Sequence, residues 1–320
     1  MRNIAIEYPS MGKMHFVDIG NPPDPAPGEV LIETEYSGIT NGTERHALLG
    51  EHSWRGHFPS RHGYQHVGII RSAGNEVEEL GEGDRVFFGQ YVGHRGWNLQ
   101  DMSVGKAFHL VAKLPRGMDP QSLALLGVAG VAMRGVRRFR VEKGQSVWVV
   151  GGGLIGQFAA QSARSFGAKV TLTEPLPSRL SRARGLGVDR VLNPHQEDFE
   201  ENLKEGSPYD CIVDTSGYRG LLEDIWRLQL LGHGGVIGLL AVRSETRFFW
   251  PLLHPTEGSI EVSCHFGLDD IRLLIELIGK GEIKLDPLIT HREPIENAPS
   301  VYKTLRDRPT ELLGVVFDWR

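Results

Sequence analysis

Cysteine is almost missing from this chain: only Cys211 and Cys264 occur in 320 residues. A disulfide-stapled secreted scaffold is thereby excluded. Both residues sit in apolar strand-like runs and are expected as buried, reduced thiols. No apolar run approaches the ~20 residues of a membrane span, so no membrane partner is expected. A basic excess is also absent. The formal charge is −5, which offers no electrostatic footprint for nucleic acid, and the arginine-dense stretches 134–140 and 179–184 read as solvated helix faces. Met1-Arg2-Asn3-Ile4 lacks the long apolar core of a secretory leader, which leaves the cytoplasm as the expected compartment. Repeats and low-complexity segments are lacking too. What remains, 40% hydrophobic and 23% charged, is an ordinary globular composition, long enough for two domains.

The most informative stretch is Val147-Trp148-Val149-Val150 running directly into Gly151-x-Gly153-x-x-Gly156, with a helix-like segment, Gln157 to Phe166, behind it. Eighteen residues past Gly156, after a second apolar run, stands Glu174. Strand, glycine turn, helix, strand and terminal carboxylate is the order of a dinucleotide-binding unit. Gly151 permits the tight turn, Gly153 leaves out a Cβ that would block a pyrophosphate, and Gly156 lets helix and strand pack closely. The helix start at Leu154 and Ile155 offers free N–H groups and partial positive charge to phosphates. Glu174 is expected to accept hydrogen bonds from a ribose diol and to repel a 2′-phosphate, favouring NAD over NADP. Arg179 lies within reach of the same ribose and softens that preference, or else faces solvent on the following helix.

Residues 1–115 read as β-rich, with short alternating runs at 29–36, 66–72 and 84–88 broken by Gly, Pro and Asn. Helical periodicity begins only after Pro120. From Ser146 to about Phe266 strands at 146–150, 169–173, 189–192, 209–213, 234–240 and 259–264 alternate with helices at 155–166, 178–186, 197–204 and 219–231. That alternation predicts an α/β fold with a parallel, doubly wound sheet. The tail reads as a helix from Asp269, a loop around 287–294, a helix from Ala298 and a last strand from Leu312.

Six short motifs in order extend the reading over the whole chain: Pro27-Gly28-Glu29-Val30-Leu31-Ile32, Ser37-Gly38-Ile39, Gly63-Tyr64-Gln65-His66-Val67-Gly68, Gly81-Glu82-Gly83-Asp84-Arg85-Val86, residues 275–283 and Pro287-Leu288-Ile289-Thr290-His291-Arg292. With them the chain resembles the medium-chain dehydrogenase/reductase family. The resemblance implies a GroES-like β-rich catalytic domain split around a Rossmann domain: residues 1–120, then 121–266, then a return over 267–320. It also implies a ligand cleft between the domains and a homodimer. Zinc-dependent members carry Gly-Ile-Cys-Gly-[Ser/Thr]-Asp and Gly-His-Glu; here Gly38-Ile39-Thr40-Asn41-Gly42-Thr43-Glu44 and Gly63-Tyr64-Gln65 stand instead, and a third ligand position near Val128 is apolar. The four-cysteine lobe of that family is absent. Zinc needs several thiolate, imidazole or carboxylate donors converging in tetrahedral geometry, so no zinc is expected. His62 and His66 are spaced i, i+4, but they lie where a loop enters a strand, which argues against a histidine-built site. Residues 37–45 and the ending Val315 to Arg320 are similar to a zinc-lacking branch that includes bacteriochlorophyllide hydroxyethyl dehydrogenases.

Without a Lewis acid, a side chain must exchange the proton of an alcohol or ketone substrate. Tyr64 is a candidate acid/base, or alternatively a plug in the vacated metal hole. By the resemblance, Thr43 relays the alcohol proton and His46 passes it to solvent, with a local turn bond as the alternative for Thr43. Glu44 is expected in an ion pair with Arg45 or a distant arginine. By the same resemblance, Ser216, in the Asp214-Thr215-Ser216-Gly217 strand end, and Leu239, in Gly238-Leu239-Leu240, are expected beside adenosine and nicotinamide. Phe248-Phe249-Trp250-Pro251-Leu252-Leu253 reads as a subunit interface or as the lining of an apolar substrate pocket. The expected function is zinc-independent hydride transfer between a nicotinamide cofactor, NAD rather than NADP, and an alcohol or ketone substrate. A quinone or enone reductase and a non-catalytic dinucleotide sensor are the alternatives.

Overall fold

A computed structural model describes residues 1–51, 57–102 and 110–320. In chain order the strands are β1 (Ile4–Glu7), β2 (His15–Asp18), β3 (Glu29–Gly38), β4 (His66–Ala73), β5 (Arg85–Phe88), β6 (Trp97–Asp101), β7 (Val111–Lys113), β8 (Ser146–Val150), β9 (Lys169–Thr173), β10 (Arg190–Leu192), β11 (Tyr209–Asp214), β12 (Leu231–Leu239), β13 (Ser259–Val262), β14 (Ile289–Pro294) and β15 (Gly314–Asp318). The helices are α1 (Asn41–Leu48), α2 (Leu126–Arg138), α3 (Leu154–Ser165), α4 (Pro177–Gly185), α5 (Phe199–Glu205), α6 (Leu221–Leu228), α7 (Leu268–Gly279) and α8 (Ala298–Asp307). Two compact units result. The first comprises Met1–Gly127, Gly267–Ile275 and Leu285–Arg320; the second comprises Val128–Phe266 and Glu276–Lys284.

In the first unit a sheet runs β14-β15-β3-β4-β5-β7, with β6 also pairing β3. All its pairings are antiparallel except β14 with β15. β3 is its hub. Val30 and Ile32 pack with Ile70, Val86 and Phe88 in one core, while Ile6, Leu48, Tyr302, Leu305 and Phe317 form another.

The second unit holds six strands in the order β10-β9-β8-β11-β12-β13, all parallel. Counted from β8 this is the 3-2-1-4-5-6 order of a doubly wound dinucleotide fold. The β-branched, aromatic run of β8 buries both its faces, as a central parallel strand must. Trp148, Ile212, Leu222, Ile225 and Ile237 belong to the core on one side of the sheet. The expected parallel α/β fold is therefore present.

Three local expectations fail. Helix α1 begins well before residue 120. Asn41, Gly42 and Thr43 are poor helix formers, so the sequence carries no periodic signal there. The Glu44 carboxylate instead reaches back to accept the Thr40 N–H at 2.8 Å, the carboxylate half of a capping box, displaced by one residue and without the reciprocal N-cap side-chain bond. Residues 289–294, read as loop, form the edge strand β14, which pairs with β15 alone and so tolerates its terminal proline. Cys264, expected buried, is exposed just beyond β13. Cys211 is buried as expected, and burial pushes its thiol up to about 12.

Candidate functional site

The second unit builds a tight glycine turn at the carboxyl end of β8. Gly151 has φ +95°, a left-handed conformation that favours glycine, and its N–H bonds Thr173 O at 2.8 Å. A Cβ on Gly156 would lie 1.9 Å from Gly151 O, so the helix and the turn touch there without room for a methyl. A Cβ on Gly153 would meet nothing within 4 Å: the space in front of the α3 N-terminus is open. Gly153 precedes Leu154 and Ile155, whose early-turn N–H groups face outward along the helix axis with the positive end of its dipole.

Glu174 closes this turn. Its Oε2 accepts from Gly152 N at 2.7 Å and its Oε1 from Leu176 N at 3.0 Å; Arg179 stands 3.8 Å away as an ion-pair partner. Gln157 adds bonds to Gly152 O and Arg179 O. Thus Glu174 and Arg179 come together beside the glycine turn, with the Arg179 guanidinium turned toward the carboxylate.

Past the end of β11, the Thr215 hydroxyl lies 2.8 Å from Val150 O and 3.1 Å from Gly151 O. Ser216 donates through both N and Oγ to Asp214 Oδ1 at 2.9 Å, so the residue expected beside adenosine is held against the glycine turn. Leu239 is buried at the end of β12. Within the apolar segment after it, Leu252 is buried and Phe249 packs edge-on to Trp226, whereas Phe248 and Trp250 are 53% and 70% exposed.

In the first unit a buried polar network surrounds α1. Glu44 Oε2 accepts from Tyr302 OH at 2.6 Å and Tyr8 OH at 3.4 Å and stands 3.1 Å from His94 Nε2. His94 Nδ1 lies 2.7 Å from Ser37 Oγ, which accepts the Trp319 indole N–H at 2.9 Å. The expected arginine partner of Glu44 is thus replaced by an imidazole and two phenols, which desolvate less expensively beside a buried carboxylate. Burial alone would raise the Glu44 carboxyl, but His94 and the hydrogen-bond donors outweigh it and hold it below the usual range. Burial, and then the Glu44 charge, push both phenols well above theirs, so they remain donors.

Ser37, His94 and Glu44 are ordered like a hydrolytic triad. However, they are 0%, 0% and 1% exposed, and Ser37 is capped by Trp319, so no acyl substrate reaches the hydroxyl. Sequence reasoning missed His94, Tyr302 and Trp319 because nothing local marks them; they meet Glu44 only through long-range packing.

The catalytic candidates are placed differently from one another. Thr43 lies half-buried in the first turn of α1, and His46 is exposed on the same helix, 3.9 Å from Glu51. Tyr64 is buried and leans on Tyr91 with ring centroids 4.9 Å apart. Beside it, Gln65 Nε2 donates to Gly38 O at 3.1 Å and to Thr40 Oγ1 at 3.3 Å. His62 stacks on Tyr8, and the buried His66 stacks on Phe88. Among the described residues no three His, Cys, Asp or Glu side chains converge as a metal site would require.

A 3-2-1-4-5-6 parallel sheet with this turn and carboxylate defines a dinucleotide-binding protein, and the residues present fit a bound pyrophosphate and ribose. Comparison with known proteins sharpens the class. Residues 26–106 match the alcohol dehydrogenase GroES-like domain and residues 155–280 the zinc-binding dehydrogenase domain. The 2-dehydro-3-deoxy-L-galactonate 5-dehydrogenase of Pseudoalteromonas atlantica is 28% identical, covering 91% of this chain and 92% of its own. The 2-desacetyl-2-hydroxyethyl bacteriochlorophyllide A dehydrogenase of Rhodobacter capsulatus is also 28% identical, covering 93% and 92%. The crystal structure of 2R,3R-butanediol dehydrogenase from Bacillus subtilis superposes with a TM-score of 0.84 at 18% identity, over 99% of both chains; it bears on the fold alone. The chain belongs to the medium-chain dehydrogenase/reductase family. It is an NAD(P)-dependent oxidoreductase that works by hydride transfer, which sets aside the non-catalytic reading.

Proposed function

We propose that this enzyme is a zinc-independent, NAD-linked dehydrogenase acting on a secondary alcohol or its ketone. One observation carries the zinc part of the proposal: where zinc-dependent relatives have a cysteine and a histidine, this chain has Thr40 and Tyr64, and the Gln65 amide bonds Thr40 Oγ1 across that spot. A hydroxyl, a phenol and an amide are poor zinc donors. The NAD part rests on Glu174, whose carboxylate disfavours a 2′-phosphate, and it also argues against an NADPH-linked quinone or enone reductase. The secondary-alcohol part is supported by relatives named for oxidising a sugar acid and a hydroxyethyl group.

When bound, nicotinamide supplies or takes the hydride; the protein supplies position and polarity. In this proposal Tyr64 exchanges the substrate hydroxyl proton, and Thr43 and His46 lead it outward along α1 to solvent. The buried Glu44 anchors that helix from beneath. A homodimer in the cytoplasm completes the reading. The dimer is supported by exposed Phe248 and Trp250 and by the open edge strand β13, where Val262 is 62% exposed.

The test is turnover of a panel of secondary alcohols and ketones, followed at the nicotinamide absorbance, with metal content measured on the same sample. Tyr64→Phe is expected to cut turnover ~10²-fold or more with NADH binding retained. Unaltered turnover leaves Tyr64 a space-filler. A tightly held equivalent of zinc whose removal abolishes activity overturns the metal-free mechanism, and turnover of enones alone moves the enzyme to the reductase class.

A further inference from the structure

The Asp214 carboxylate is fully buried at the last position of β11 and divides its two oxygens between two loops. Oδ1 accepts from Ser216 N, Ser216 Oγ and Gly217 N at 2.9, 2.9 and 3.0 Å. These bonds fold the 215–217 turn, in which Gly217 has φ +71°. Oδ2 pairs with the Arg243 guanidinium, which comes from the loop after β12 and is itself mostly buried. The Asp214 backbone carbonyl binds the same loop again, accepting from Leu240 N at 2.9 Å and Ala241 N at 3.2 Å. A Cβ on Gly217 would lie 3.6 Å from Ala241 Cβ, so the two loops are also in contact.

The 215–217 turn is in its turn fastened to the glycine loop. Thr215 Oγ1 reaches Val150 O and Gly151 O, and a Cβ on Gly151 would meet Ser216 Cβ at 3.1 Å. A continuous line of contacts therefore runs from Gly151, through Thr215 and Asp214, to Arg243. It joins three loops at the carboxyl edge of one parallel sheet, where ligands of such sheets bind. A loop rigid in its bound form loses less freedom when the ligand arrives.

We propose that Arg243 is a positioning residue for the dinucleotide: through its ion pair with Asp214 it holds the loop after β12 and the 215–217 turn in their cofactor-receiving form. The inference rests on the dinucleotide reading of this sheet. Breaking the pair leaves a buried carboxylate without its counter-charge. The turn then loosens, and the cofactor must order it on binding.

The experiment is titration of NADH, with NADPH in parallel, into wild type, Arg243→Met, Arg243→Lys, Asp214→Asn and the Asp214→Asn/Arg243→Met double variant, followed by nicotinamide fluorescence. Melting temperatures are taken on the same samples. Asparagine keeps an acceptor for Ser216 and Gly217 while removing the charge that faces Arg243, so it isolates the pair from the turn. Arg243→Met and Asp214→Asn are each expected to weaken NADH binding about tenfold. The double variant should be no weaker than either single one, and Arg243→Lys should recover most of the affinity. Unchanged NADH affinity in a folded Arg243→Met, whatever its melting temperature, overturns the proposal. Weakening in Arg243→Met but not in Asp214→Asn also overturns it, because Arg243 would then touch the cofactor directly. Wild-type protein that binds neither dinucleotide refutes the dinucleotide reading itself, a result distinct from both.

Discussion

Replacing Glu174 by glutamine tests whether the carboxylate serves the glycine turn as well as the cofactor. Glu174 is buried, with Gly152 N at 2.7 Å on one oxygen and Leu176 N at 3.0 Å on the other. Glutamine keeps the shape but turns one acceptor into a donor, so one of the two backbone N–H groups faces an N–H. A hydrogen bond to a charged group contributes ~1.5–3 kcal/mol, and an orphaned buried donor costs ~1–3 kcal/mol. A net loss of ~2–3 kcal/mol is therefore expected. For a unit of this size that corresponds to roughly 4–10 °C in melting temperature. NADH should bind ~10–100-fold more weakly, as loss of one charge-assisted bond at the ribose implies. NADPH should lose less, because the repulsion of its phosphate disappears with the charge. Differential scanning fluorimetry and titration calorimetry on Glu174→Gln and Glu174→Asp measure both effects. A Glu174→Gln protein that melts with wild type and keeps its NADH affinity would show that neither the turn nor the ribose uses this carboxylate.

Two further outcomes are expected. In Gly156→Ala the new methyl would sit 1.9 Å from Gly151 O; backbone cannot yield that far, so ~3 kcal/mol or more of stability and measurable dinucleotide binding should both be lost, and a stable, NADH-binding variant would refute the close packing. Acid should destabilise the protein in two stages. Burial, with the neighbouring His94 adding to it, drives the His66 imidazole well below its ordinary value, so below pH ~6.5 the unfolded chain binds a proton that the fold refuses. That stability is complete above ~6.5 and falls by up to ~1.4 kcal/mol per pH unit below it. The lowered Glu44 carboxyl adds a second loss of the same sign below ~4.5. Urea titrations at pH 7.5 and 5.5 measure the first stage; His66→Leu should flatten it, and an unchanged slope in that variant assigns the loss elsewhere.

The second unit was legible because its signals are local. Val147 to Gly156 and Glu174 lie within one strand-turn-helix-strand unit, and the central strands β8, β9 and β11 are apolar runs flanked by helix periodicity. The first unit was legible mainly through its family motifs. Helix α1 escaped notice because what stabilises it is the Glu44 network rather than an apolar stripe. The partners of that network, His94, Tyr302 and Trp319, are separated from Glu44 by 50, 258 and 275 positions, and no window of sequence brings them together. Arg243 was missed for a related reason: its segment reads as a polar loop, and only the fold shows that it neutralises the buried end of β11.

The hydrogen bond from Trp319 to Ser37 spans 282 positions of chain. During synthesis at ~5–20 residues per second, Ser37 waits roughly 15–60 s for its partner. Through that interval Glu44 waits as well for Tyr302, and β3 for β15, so two buried acceptors and one sheet edge stay open together. The second unit is drawn mostly from one continuous stretch, so it can close while the first is still waiting. A Trp319→Leu variant would lack the indole donor and should remain longer in that waiting state, a substrate for chaperones and proteases rather than a weakened enzyme.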